Sequence, residues 1–304
     1  MDPSCHNPMA QATATPSPWR GTANLQFAAS SQGLTSFQGG STAPLKLMRA
    51  FAGADGRCEL PLLHTAGGLV GGDQLKIELG LGANSRALIT SVAAQKVYGI
   101  KGQWAHIDIE TQLGPGADLE WLPQETLVFE GGLLQQQQRL ELAENASWLG
   151  IDVVRFGRTA RGETLGNGCW RSSLEIQRKS ASGRRWELVD RLQINRDCLD
   201  SAHGLKGQPV LASLVWAAPS PLDSNKLQAL INQGRQDSLE LEGEMALGSL
   251  QQGLIARYRG PSSQAARHWF YRLWARIRQL RGLSAPLAPR VWPLQEYPHA
   301  PALN

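Results

Sequence analysis

From about Leu25 to Trp216 the chain is written in short apolar or alternating runs, each ended within a few residues by Gly, Pro, Asp or Asn. Alternation puts every second side chain on one face, and the breakers interrupt each run before a helix could become stable, so the pattern is that of a many-stranded β protein. Gln74 to Leu79 (QLKIEL) and Ala105 to Glu110 (AHIDIE) alternate, and Arg86 to Val92 (RALITSV) is nearly continuous. Ala117 to Leu122, Ser147 to Val154, Ser173 to Gln177 and Trp186 to Ile194 extend the series. The stretches LGLGANSRALIT, QLGPGADLEWLP and LAENASWLGI each join an apolar residue, a short turn, an alanine and a strand. Their alanines, Ala83, Ala117 and Ala146, recur at about 30-residue intervals, the mark of stacked strand-turn-strand units or of one turn chemistry reused. The fold class expected is mainly β: a large layered, helically wound domain, solenoid-like or sandwich-like, with two C-terminal α-helices.

The pattern changes after Pro221. Ser224 is placed to cap a helix with Leu227, Leu230 and Ile231 at helical spacing, ending near Gly234. A longer helix is expected from Ser262 or Ser263 to about Arg281, stopped by Gly282, with Ala266, Trp269, Phe270, Leu273, Trp274, Ile277 and Leu280 as its buried stripe. The division is therefore an N-terminal tail over 1–20, a β body over 21–221, a helical segment over 222–292 packed on that body, and a C-terminal tail over 293–304.

The longest apolar stretch, Pro209 to Pro219, is well short of the roughly 20 residues that span a bilayer. The first 20 residues lack the basic start and apolar middle of a secretory signal, so a cytoplasmic protein is expected. The four cysteines are widely separated and read as mostly buried thiols. A net charge of +4 and a pI near 9.0 invite a nucleic-acid reading. Eight arginines between Arg257 and Arg290, with no acidic residue among them, account for this excess and leave the remainder of the chain mildly acidic. That arginine face suits nucleic acid, an anionic membrane, a protein partner or plain solvation, and the last two are favoured.

Leu62 to Asp73 (LLHTAGGLVGGD) carries four glycines within six residues but neither a dinucleotide fingerprint nor a P-loop, and a strand follows it. The glycines fit unusual backbone angles or close strand contact, leaving Asp73 a turn role or a polar place at a cavity. His64, His106 and His203 have no metal-ligating neighbour at local spacing. Asp152 and Asp190 each sit between apolar strand residues: either they point inward, where a carboxylate requires pairing, hydration or metal, or they lie on a solvated face beside Arg155 and Arg191.

Together the motifs resemble a known family. GGLVGGD (Gly67 to Asp73), Lys96 and Tyr98, LEWLPQET (Leu119 to Thr126), FGRTARGE (Phe156 to Glu163) with Gly168, and PRVW (Pro289 to Trp292) stand in the order found in the urease accessory protein UreD (UreH) family, over about Leu25 to Trp292. The resemblance implies a scaffold without catalysis, no tightly bound cofactor, and nickel in transit toward urease. Its implied partners are apo-urease, UreF and, through UreF, the GTPase UreG, with no nucleic acid or membrane. It also implies an internal carboxylate-lined nickel path through Asp73, Asp152 and Asp190, with His64, Gln95 and Glu163 as secondary positions. Oxygen ligands suit a passing divalent cation because they replace or bridge its waters without the grip of a thiolate-imidazole cage. A carbohydrate-active β enzyme, drawing on the stacked strands and ten tryptophans, and a nucleic-acid binder using the C-terminal arginines are the alternatives.

Overall fold

Alternating runs of this kind must bury one face, and the chain does so by winding two sheets against each other. The computed structural model describes residues 17–100, 102–180 and 183–292; apart from 17–20, the two expected tails lie outside them. The strands β1 (Arg20–Ala29), β2 (Thr35–Ser41), β3 (Leu45–Leu47), β4 (Phe51–Ala52) and β5 (Cys58–His64) open the winding. Next come β6 (Gln74–Leu81), β7 (Arg86–Ser91), β8 (Gln95–Val97), β9 (Ala105–Leu113), β10 (Asp118–Leu122), β11 (Thr126–Val128), β12 (Leu133–Leu142) and β13 (Ser147–Phe156). The chain continues through β14 (Cys169–Ser180), β15 (Gly183–Ile194), α1 (Arg196–Asp200) and β16 (Val210–Ala217). It closes with α2 (Ser224–Gln236), β17 (Glu244–Leu250), β18 (Gly253–Gly260) and α3 (Ser263–Leu280).

In the first sheet β1, β6, β9, β12 and β14 run parallel as successive neighbours; in the second, β5, β7, β10 and β13 do the same. Each coil thus lays a strand in one sheet, turns, lays a strand in the other and returns through a longer loop. The antiparallel strands β2 and β15 edge the first sheet, and β16, β18 and β17 extend the second.

The recurrent turns stack as the sequence suggests, but one position differs. The amide of Asp118 donates to the Ser85 carbonyl at 2.9 Å and that of Ser147 to the Ala117 carbonyl at 2.9 Å, so the equivalent series is Ser85, Ala117 and Ala146, all buried, while Ala83 is exposed. A small side chain is required because this slot lies between stacked turns. Serine meets the requirement by donating its hydroxyl to the Gly82 carbonyl.

Side chains alternate between two cores. Leu25, Ile77 and Ile109 from the first sheet meet Ile89, Leu119 and Trp121 from the second in the inter-sheet core. On the second sheet's outer face, Leu88, Leu122, Ile151, Leu214 and Trp216 pack against Trp269, Phe270, Leu273, Trp274 and Ile277 of α3. Ser262 caps α3 through Ala265, and Gly282 follows it at φ +67°. The cap of α2 is Asp223 rather than Ser224, its carboxylate accepting from the amides of Asn225 and Lys226. Two elements were absent from the expected division: the short α1, and the β17–β18 hairpin that lies between the two long helices.

The arginine-rich segment is not a solvated face. Arg257 pairs with Asp190, Arg259 with Glu244, Arg267 with Glu125, Arg276 with Asp237 and Arg281 with Asp118. Arg272 donates to the Asp237 carbonyl, and Arg290 lies 4.8 Å from the Phe51 ring centroid. Arg278 is buried, reaching Glu120 at 2.9 Å and Asp55 at 3.0 Å; Arg57 meets Glu120, Asp55 and Asp118 in the same cluster. Of the segment's eight arginines only Arg290 is exposed, so the segment offers no continuous cationic face of the kind a nucleic-acid reading needs.

Glu120 is 1% exposed between two buried guanidiniums, so removing it leaves Arg57 and Arg278 to share Asp55, with Asp118 at 3.5 Å from Arg57, and leaves a positive excess in a buried cluster. Glu120→Ala should lower the unfolding free energy by about 3 to 5 kcal/mol in urea titration. A loss under about 1 kcal/mol, the range of exposed pairs, would show that water reaches the cluster.

Candidate functional site

The loops that return from the second sheet to the first hold the sequence motifs, and they stack. Leu69 bridges Val97, Val97 pairs with Val128, and Val128 pairs with Phe156; all four side chains are buried. This ladder aligns the glycine-rich segment, Lys96 and Tyr98, the PQET segment and the start of FGRTARGE at one end of the winding. The glycines serve close approach: a Cβ on Gly68, where φ is +153°, would fall 2.5 Å from the Tyr98 ring, and one on Gly71 would fall 2.5 Å from Gln103 Cβ. Asp73, fully buried, takes the turn role. Its Oδ1 accepts from the Trp19 amide at 2.7 Å and its Oδ2 from the Val70 amide at 2.9 Å.

Behind these loops, between the sheets, lies a cavity of about 100 Å³, room for several waters. Its polar lining includes His64, Gln95, Gln124, Thr126, Gln136 and Asp152, set among Ile77, Ile89, Ile107 and Trp121. A second cavity of about 30 Å³ shares Gln136 and Asp152 with the first and adds Asp190 and Ser213. Asp152 and Asp190 therefore point inward, and the solvated alternative fails: Arg191 pairs with Glu175, and Arg155 donates to the Pro261 carbonyl and to Thr159.

The inward polar groups have distinct electrostatics. Burial holds the Asp152 carboxyl up at a pKa of about 6, against the opposing pull of the Arg257 charge and of the Gln136 amide, which donates to Oδ2 at 3.2 Å. Burial lowers the His64 imidazole below its usual value while the charge of Asp73 opposes; its Nε2 has no hydrogen-bond partner among the described residues. A neutral ring is the form that ligates metals. Gln95 donates to the Lys96 carbonyl at 3.1 Å and keeps its place in the cavity wall. Asp190 is held by Arg257, whose other terminal nitrogen donates to Ser213.

Of the expected positions, the structure brings His64, Gln95 and Asp152 to the larger cavity and Asp152 and Asp190 to the smaller one beside it. Asp73 and Glu163 are outside both linings. Glu163 accepts from the Glu130 amide at 3.0 Å and from Arg158, contacts that lower its pKa even against desolvation, so it braces a loop. Among the described residues no three His, Cys, Asp or Glu side chains gather into a metal cage, so the acidic groups form a row. Gln136 and Ser213 line the smaller cavity beside them and Arg257 holds Asp190; sequence reading missed all three, though Gln136 and Ser213 stand at inward positions of their strands.

A model of the UreD urease accessory protein family matches residues 20–293. The chain belongs to that family. Urease accessory protein UreD of Synechococcus sp. (strain CC9311) is 58% identical over 292 residues, covering 93% of this chain and 98% of the relative. The UreD of Prochlorococcus marinus (strain MIT 9303) is 55% identical over 293 residues, covering 92% and 98%, and that of Parasynechococcus marenigrum (strain WH8102) is 56% identical over 289 residues, covering 92% and 93%. As a UreD protein the chain is an accessory factor and not a catalyst. Among the described residues no helix is long and apolar enough to cross a membrane.

Because Asp152 has a raised native pKa against an unfolded value near 3.9, folding favours its protonated form, and stability falls as pH rises from about 4 to 6. Asp152→Asn should be neutral in stability at pH 4 and stabilising by about 1 to 3 kcal/mol at pH 7.5, measured by urea unfolding at both pH values. A pH-independent difference would contradict a carboxylate whose burial outweighs the help of Arg257 and Gln136.

Proposed function

We propose that this chain is a cytoplasmic scaffold of urease maturation that docks on apo-urease, holds UreF and through it UreG, and lines part of a nickel route with its interior carboxylates. Family membership supports the role in urease maturation. The observation that supports the nickel route is that Asp152 lines two adjacent cavities, with His64 and Gln95 in the wall of one and Asp190 in the wall of the other.

The chemistry of this row fits cargo that must move on. At pH 7.5 Asp152 is ionised, since its pKa is about 6, and its poorly solvated charge attracts a cation. Nickel(II) would meet single carboxylates, amide oxygens and one neutral imidazole in succession, each able to displace one or two waters and none able to complete a cage. Asp73, in this reading, acts indirectly by fixing the turn behind His64. The carbohydrate-enzyme alternative has its two carboxylates in Asp152 and Asp190, but the space they share is only about 30 Å³, too small for a sugar ring.

Asp152→Ala combined with Asp190→Ala should leave co-purification with UreF and apo-urease intact while lowering urease nickel content several-fold, measured by metal analysis of the purified urease. Full nickel content with an assembled complex would remove the route from this chain, and failure to co-purify wild-type chain with either partner would remove the scaffold.

A further inference from the structure

The interior row ends at the border of the sandwich. β15 is the edge strand of the first sheet, whereas the second sheet continues past β16 into β18 and β17. At this border Asp190 from β15 meets Arg257 from β18. Their side chains retain 19% and 26% exposure, while Asp152 lies deep between the sheets. The Arg257 guanidinium donates one terminal nitrogen to Asp190 and the other to Ser213, both lining groups of the cavity that reaches Asp152. Its charge is permanent at any physiological pH, and it is close enough to act electrostatically on Asp152 as well. A guanidinium thus occupies the position where a cation entering or leaving the row would first find a carboxylate.

We infer that Arg257 is a tethered stand-in cation, a gate that keeps Asp190 closed to divalent metal until its side chain is displaced. This inference rests on the delivery reading above and adds a positioning residue to it. Two features support exchange over a fixed clamp. The pair sits at the solvent border on a long, flexible side chain, so the Arg257 charge can move into water while an incoming cation takes its place at the carboxylates. Asp190 also faces a cavity in which an incoming ion can retain part of its hydration. While the gate is closed, a divalent ion meets a positive charge and an already neutralised carboxylate, so the isolated chain should bind metal weakly. Removing the charge should convert Asp190 and its neighbour Asp152 into a visible cation site.

The test is titration of nickel(II) chloride into the purified full-length chain by calorimetry, with thermal melts as folding controls. Arg257→Gln should bind nickel about tenfold or more tightly than wild type, because one opposing charge within a few ångströms is gone. Arg257→Lys keeps the charge and should behave as wild type, and Arg257→Gln with Asp190→Asn should return to weak binding. If Arg257→Gln does not fold, Arg257→Met, which keeps an apolar stem, takes its place. Affinity equal to wild type in the uncharged variant, or equal tightening in Arg257→Lys, overturns the gate. Tightened binding alongside nickel loading that is indifferent to Asp152 and Asp190 overturns delivery while leaving the exchange at Asp190 in place. Unchanged affinity alongside impaired loading does the reverse.

Discussion

The packing of this molecule depends on the ionic cluster around Glu120. The second sheet is covered on both faces, by the first sheet within and by α3 without, and a strand in such a place is normally apolar throughout. β10 instead directs Asp118 and Glu120 outward at the helix. Three carboxylates, of Asp55, Asp118 and Glu120, are matched there by three guanidiniums, of Arg57, Arg278 and Arg281. The match joins segments far apart in sequence: the β4–β5 turn, the middle of the winding and the last turn of α3. An apolar stripe alone lets a helix slide or rotate by part of a turn. Charges that must meet in a largely buried interface favour one register, because any other leaves an ion unpaired.

The fold itself follows from local rules applied repeatedly. Each coil needs a tight turn with a small residue facing its neighbour, which Ser85, Ala117 and Ala146 supply, and a longer return loop whose apolar residue joins the ladder of Leu69, Val97, Val128 and Phe156. Stacking fixes those loops, and fixed loops hold the wall of the inter-sheet cavity. The motif residues near that wall are therefore of two kinds. Asp73, Gly68, Gly71 and Glu163 shape backbone, whereas His64, Gln95 and Asp152 face the space that the backbone encloses.

Much of this was legible in the sequence, and what was not has definite causes. Alternation announced the strands, and spacing and caps announced α3, because both signals are local. The β17–β18 hairpin was hidden although Leu254, Ala256 and Tyr258 alternate with Ile255, Arg257 and Arg259: its arginines resembled the arginine face of the neighbouring helix. The inward direction of Asp152 was undecidable from its neighbours, since a sheet buried on both faces gives no polar side to read from. The partners of the arginines lie up to 223 residues away, in the case of Arg278 and Asp55, and no local pattern encodes pairing over that distance. For Asp73 the sequence leaves a turn role and a place at a cavity open, and the resemblance implies a place on the nickel path; its two backbone donors give it the turn role, and it is absent from the lining of both cavities.

The two sets of interior charge differ in one count, and that difference separates structure from function. Around Glu120 the three paired carboxylates, Asp55, Asp118 and Glu120, each meet an arginine, and the three arginines Arg57, Arg278 and Arg281 match them in number. Between the sheets, Asp152 and Asp190 share one arginine, and the nearby imidazole of His64 is neutral at physiological pH. A deficit of one positive charge in a poorly solvated space would be eliminated by selection for stability alone, since an amide at Asp152 would suit the Gln136 contact as well. Its presence favours a role in which the missing charge arrives from outside. A divalent cation restores the balance and can even exceed it once Arg257 is engaged, and an overcompensated site releases its ion readily. A row that attracts a cation but cannot neutralise it stably has the energetics of a conduit and lacks those of a store.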